Sequence, residues 1–352
     1  MLCAILLASA AEAADLRPIP TRERRVVVRW SLSGDPRALA FGPDGTLYVG
    51  LRATQSVVAI DRTSGTILRD VVIDHEEIAS TKDFATLRID PRLERLVIAQ
   101  GTDESVTILS IPDLGIVREI LMEGEVIRDA HPDPAGRYLF ILGRGVHVWD
   151  AAGQQRLRTF SEIDAFAIAV SSDGSRLAIV GAEQFESGSA TVVSLIDTAT
   201  LDEVRRMPLQ TDRPIEAALF GAGDVSLLVL ARDWLAEKPL AAPGQRTMVP
   251  EQRGMRVRLE TGDFVSTESI CLPRESGPQV AAAGPGGATV FFAERRCSVS
   301  GSTLGAPRRI RTASLYGVEA YALAYDENGN FLAASEPDGI LTIYRAPKPE
   351  SR

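Results

Sequence analysis

Along most of the chain, apolar and polar residues alternate in short runs, and each run is closed by Gly, Asp, Asn or Ser. A period of two with turn residues between the runs predicts β-strands, not helices. The runs themselves repeat. One unit opens with a short Ala-rich apolar strand (a), then a Gly or Asp turn and a second apolar strand (b). A loop follows, then a third strand (c) that often ends in Asp, a second turn, and a charged fourth strand (d).

The clearest copy spans residues 36–73. Strand a is 38–41, the turn is Pro43-Asp44-Gly45, b is 46–49, c is 56–61, the second turn is 62–65 and d is 67–73. Further copies start near Phe84, Asp129, Asp164, Ile215, Gln279 and Ala322, which makes seven. Their first-turn anchors (Gly45, Leu93, Gly136, Gly174, Gly223, Gly287 and Gly329) lie 38 to 64 residues apart. Four strands per unit at a spacing of about 40–45 residues is the mark of a propeller. The small residues of strand a fit a crowded central axis, and the charges of strand d fit a wet outer edge. The last copy supplies only three strands. Residues 25–30, ahead of the first copy, can supply the fourth. The expectation is therefore an all-β, seven-bladed β-propeller of four-stranded antiparallel blades, its ring closed by an N-terminal strand, over residues 14–346, with 347–352 as a tail.

Several segments resemble known repeats. Leu47-Tyr48-Val49, Val57-Val58-Ala59-Ile60-Asp61 and Thr63-Ser64-Gly65 together resemble the YVTN-type propeller repeat, and residues 194–200 resemble its second half. Val148-Trp149-Asp150 resembles the end of strand c in WD40 repeats. Gly50 stands where the YVTN repeat usually has Asn, and the Gly-His pair of WD40 repeats is absent. The likeness is to a divergent YVTN/WD40-like propeller and covers roughly residues 35–346. It implies architecture; propellers of this kind include both binding scaffolds and enzymes.

The N-terminus reads as an address. Residues 2–11 are apolar, and Ala11-Glu12-Ala13 has the small-x-small pattern of a signal-peptidase site, so residues 1–13 are expected to be a signal peptide. A periplasmic or secreted location follows, and Cys271 and Cys297 then become a candidate disulfide. No other apolar run is long enough to span a membrane. The formal charge of −9 argues against bulk binding of nucleic acid.

Chemistry has two candidate places. In an up-and-down blade the a–b and c–d turns share one face, and the b–c and d–a connections share the other. Length variation collects on the second face, in 75–82, 183–189 and above all the insertion 233–254, so that face is the expected binding face. Its candidate contacts are Trp234, Lys238, Arg246, Arg253, Phe185 and Glu186, and its expected partner is a protein or peptide bound by a monomer. The second place is the axial opening. Asp129 and His131 share one side of a strand, and with Asp164, Asp35 or Asp83 at the starts of other a strands they could form a hydrolase- or lactonase-like site with a carboxylate–His base. No histidine lies near another, no metal-ligand spacing stands out, and no phosphate loop or nucleophile elbow is present, so no cofactor is expected. Residues 326–330 faintly resemble a calcium loop but also form an ordinary a–b turn.

Overall fold

The computed structural model describes residues 16–18, 26–73, 84–90, 92–100, 104–185, 188–209, 211, 215–233, 237–239, 246–248, 251–259, 264–270, 281–283, 289–292, 300–303, 320–326 and 328–346. Among them the chain is almost entirely β-strand, with two short 3-10 turns. Among the described residues no helix is long and apolar enough to cross a membrane.

The strands form antiparallel meanders. Five sheets have four strands and run in chain order from Pro36–Phe41 to Ile67–Val72, Phe84–Asp90 to Ile116–Leu121, Asp129–Pro132 to Arg156–Phe160, Asp164–Val170 to Asp202–Pro208, and Ile215–Phe220 to Phe264–Ile270. We number these sheets one to five. A sixth, of three described strands, spans Ala281–Ala283, Thr289–Phe292 and Ser300–Thr303. The seventh joins Ala322–Tyr325, Phe331–Glu336 and Ile340–Arg345 to two strands from the other end of the chain, Val26–Leu32 and Leu16–Pro18. The spare N-terminal strand thus pairs with the last strand, Trp30 opposite Leu341 and Arg29 opposite Thr342. Arg29 also reaches Glu336 at 2.8 Å.

The first strands of successive sheets are neighbours, and Ala322–Tyr325 of the seventh sheet lies beside Pro36–Phe41 of the first. Their alanines explain the approach: Ala38, Ala40, Ala167, Ala169, Ala217, Ala218, Ala322 and Ala324 are all buried. The core is divided among the gaps between sheets. One apolar cluster joins Leu39, Leu47 and Val58 of the first sheet to Trp30, Leu341 and Ile343 of the seventh. Another joins Phe140 and Val148 of the third to Ile168 and Ile179 of the fourth. The first four sheets are apolar on both faces because each face meets a neighbour.

Turn chemistry fixes the a–b and c–d ends. Asp44 accepts the Thr46 N–H at 2.9 Å, and Asp61 accepts those of Thr63 and Ser64 at 2.9 and 2.7 Å. Gly65 has φ of +72°, and a Cβ there would fall 2.5 Å from Trp30 Nε1. That glycine serves both a turn and the contact between first and seventh sheets.

Arginines bridge the sheets on the same face. Arg137 donates to Gly174 O at 2.7 Å and to Thr198 Oγ1 at 2.8 Å, and Arg92 donates to Pro134 O at 2.8 Å. Arg62 lies 3.5 Å from Asp326. Asp326 also accepts the Asn330 and Phe331 N–H groups, as an ordinary turn carboxylate does. No cluster of three metal-ligating side chains occurs among the described residues.

The b–c connections of the fourth and fifth sheets differ from expectation. Residues 183–189 and the ends of the 233–254 insertion were expected as irregular loops. In the fourth sheet, Arg176–Phe185 and Gly188–Asp197 instead pair along their whole length, to Phe185 opposite Gly188. In the fifth, Ser226–Asp233 and Glu251–Arg258 pair as far as Asp233 opposite Glu251. Beyond them Glu237–Pro239 pairs with Arg246–Met248. Two paired strands satisfy their own backbone where a loop of the same length would depend on water.

Candidate functional site

A cavity of about 370 Å³ lies where the first strands converge, and all seven of those strands contribute to its wall. Most of the wall is apolar, as at Phe41, Ile89, Val170, Leu219 and Leu323. Five side chains bring polar groups: Arg88, His131, Ser172, Asp224 and Tyr325, whose hydroxyl donates to Gly329 O at 3.3 Å. Ser172 and Asp224 follow strand a in sheets four and five, and the wall uses mainly the C-terminal parts of the strands. The cavity therefore sits toward the a–b turns. The sequence reading placed its charges at the opposite ends of these strands.

Two neighbouring strands supply the charged core. Asp129, at the start of Asp129–Pro132, is almost fully buried. Arg88, within Phe84–Asp90, grips it with two bonds, Nε to Oδ1 at 3.1 Å and Nη2 to Oδ2 at 3.0 Å. Asp129 Oδ1 also accepts the Ala130 N–H at 2.8 Å. His131 Nε2 lies 3.0 Å from Asp129 Oδ2, yet off the direction of a hydrogen bond, so this buried nitrogen has no good partner. Period-two alternation puts Asp129 and His131 on one side of the strand, as expected.

The electrostatics follow from these contacts. Burial alone would raise the Asp129 carboxyl, but the charge of Arg88 and then the nearby His131 outweigh it and hold the group well below the usual carboxylate range. Burial, reinforced by the Arg88 charge, pushes His131 below its ordinary value despite Asp129. At neutral pH the cluster is a guanidinium–carboxylate pair beside a neutral imidazole. Two lone pairs facing each other at 3.0 Å would repel, so the imidazole proton belongs on Nε2, toward Asp129. Nδ1 then carries a free lone pair.

The other expected axial groups are elsewhere. Asp164 is exposed and does not line the cavity; it pairs in register with Ala182 at the far end of its strand. Asp35 lines a second cavity of about 620 Å³ with Arg37, Arg52 and Tyr321. It meets Arg37 at 3.1 Å and Arg52 at 2.6 Å, while the Arg37 guanidinium stacks 3.8 Å from the Tyr321 ring centre. Asp83, Trp234, Glu186, Cys271 and Cys297 lie outside the described residues. Lys238, Arg246 and Arg253 lie on the described strands of the fifth-sheet extension. Phe185 is 49% exposed at the end of the fourth-sheet hairpin.

Arg88 is the residue that sequence reasoning missed. Its signal was present: one arginine between Leu87 and Ile89, inside an inner strand whose neighbours are apolar.

No protein-family model and no curated protein matches this chain. Among solved structures it is similar in fold to hydrazine synthase of Kuenenia stuttgartiensis. The two share 15% identity with a TM-score of 0.68, over 89% of this chain and 96% of that one. A likeness at that identity is one of fold alone, and with the sheets above it defines a β-propeller-like all-β protein.

Proposed function

We propose that this chain is an exported seven-bladed propeller, closed by the strand Val26–Leu32, that acts as a scaffold and captures a protein or peptide on its hairpin face. Ring closure is supported by the seven meander sheets, the shared cavity at their first strands, and the packing of the seventh sheet on the first. Deleting residues 14–31 is expected to lower the unfolding midpoint of the whole domain; an unchanged midpoint removes the closure.

The observation that carries the binding reading is the fourth-sheet hairpin. The first strand of that sheet stops pairing at Asp164 opposite Ala182, yet the two central strands continue to Phe185 opposite Gly188. The continuation presents a large apolar side chain to solvent, as recognition surfaces do. The fifth sheet extends on the same face by chain parity. Phe185, Glu186, Trp234, Lys238, Arg246 and Arg253 form the proposed contact set, and their cations on an acidic protein favour an acidic partner. Replacing 234–250 with a short Gly-Ser linker, which spares the paired strand Glu251–Arg258, together with Phe185→Ser and Arg253→Ser, is expected to leave the melting curve unchanged and to abolish partner capture from an envelope extract. Undiminished capture would place the interface elsewhere.

The approach of His131 to Asp129 favours a second reading, a hydrolase or lactonase at the axis. Its carboxylate is already committed to Arg88, and Asp164 is distant from the cavity, which makes it the weaker of the two. Lactone hydrolysis that disappears in His131→Leu would reverse the order.

A further inference from the structure

We infer that the axial cavity is a binding site for a small neutral molecule carrying adjacent carbonyl and N–H groups, a carboxamide or lactam edge, on an apolar body. The site is separate from the hairpin face, and partner capture does not depend on it. Its volume of about 370 Å³ falls at the small end of the range for ligand pockets, about 300–1,000 Å³.

The ligand class follows from what the polar wall leaves open. Arg88 spends Nε and Nη2 on Asp129. Nη1, on the far side of the guanidinium, makes no hydrogen bond among the described residues, and the side chain keeps 25% of its exposure. On the next strand, His131 lines the same cavity. Its Nδ1 makes no hydrogen bond among the described residues and, unlike Nε2, is not sealed from solvent. Neighbouring inner strands thus offer one donor and one acceptor to the same space.

Charge then excludes the alternatives. The Arg88–Asp129 pair is neutral as a unit, and Asp224, whose Oδ2 is taken by Ser172 N and Oγ at 3.0 and 2.8 Å, adds negative charge. A carboxylate or phosphate entering the cavity would lose its hydration without meeting a net positive charge. A cation would meet the Arg88 guanidinium and find both Asp129 oxygens occupied by it, while Asp224 is only half-buried, screened by water, and already holds Ser172. A wholly apolar guest would leave Nη1 and Nδ1 dry and unpaired. A carboxamide satisfies both: its C=O accepts from Arg88 Nη1, its N–H donates to His131 Nδ1, and its body meets Val170, Leu219 and Leu323.

The test uses the full-length protein and three size-matched probes, benzamide, benzoate and toluene, with binding read by ligand-observed NMR and calorimetry. Benzamide is expected to bind at least tenfold more tightly than either of the others. The variant His131→Leu removes the acceptor while Asp129 keeps Arg88 and the Ala130 N–H, so the fold is expected to persist. It should weaken benzamide tenfold or more and leave toluene unchanged. A second variant, Arg88→Met with Asp129→Leu, removes the donor without stranding a buried charge and should have the same effect. Tighter binding of benzoate would make this an anion site and overturn the proposal. Equal binding of toluene and benzamide, no binding of any probe, or undiminished benzamide binding in a folded His131→Leu protein would each overturn it as well.

Discussion

The third sheet carries two histidines in contrasting positions. His147, on its third strand, is nearly fully buried and has both ring nitrogens engaged: Nε2 with Glu125 Oε2 at 2.8 Å and Nδ1 with Thr159 Oγ1 at 3.2 Å. His131, on the first strand, also stands beside a carboxylate, but neither of its nitrogens has a well-aligned bond. Each is a His with an acid neighbour. The difference lies in what remains unsatisfied. A buried imidazole bonded at both ends is part of the framework, whereas one with an open nitrogen facing a cavity still has chemistry to offer.

Four substitutions sharpen or break that contrast. The largest effect is expected from Asp129→Leu, which strands the Arg88 guanidinium; a loss of about 3 kcal/mol in chemical denaturation is the expected result. His147→Leu comes next, with a loss of about 2 kcal/mol, because it leaves Glu125 short of a partner. If His147→Leu were harmless, its bonds would not be framework and the contrast would fail. Thr159→Val, at the exposed end of the same chain of bonds, should cost roughly 0.5–1 kcal/mol in the same measurement.

The smallest effect at neutral pH belongs to His131→Leu, under about 1 kcal/mol, since no good hydrogen bond is lost. Its signature is in the pH dependence. Burial and Arg88 lower the proton affinity of His131 in the fold despite Asp129, so the unfolded chain binds that proton more readily. Native stability should therefore fall as the pH drops below 6.5, the ordinary value of the group, by at most about 1.4 kcal/mol per pH unit. Asp129 acts lower down. Its depressed carboxyl adds stability above its ordinary value of 3.8 that is lost only in stronger acid. Melting curves of His131→Leu should thus be flatter as the pH falls below 6.5. An acid slope retained in His131→Leu would show that some other group supplies it.

The repeating unit was legible because its causes are local. The alanines of strand a, the Asp and Gly of the turns and the period-two strands are all written within a few residues of one another. The pairing of Asp129 with His131 was legible for the same reason, being an i, i+2 relation on one strand. Arg88 was not, since its partner lies 41 residues away on another sheet, and only the assembled axis brings them together. Asp164 misled because being near the start of an inner strand does not say toward which end the cavity lies. The fourth-sheet hairpin, 183–189, was taken for a loop because length varies there between copies, although Gly188 and Ser189 each face a strand partner.

The seventh sheet has a consequence for the time course of synthesis. Arg29 and Glu336, which pair in the finished sheet, are 307 positions apart in the chain. At roughly 5–20 residues per second on the ribosome, Val26–Leu32 waits on the order of 15–60 s before Ile340–Arg345 exists to receive it. Throughout that interval its backbone donors and acceptors are an open template for any other strand. Leu16–Pro18 pairs with the edge of Val26–Leu32 that the last strand does not use. A nascent chain can therefore cover Trp30 to Leu32 along that edge with the short strand that precedes it, while the edge reserved for the last strand must be guarded until that strand is made.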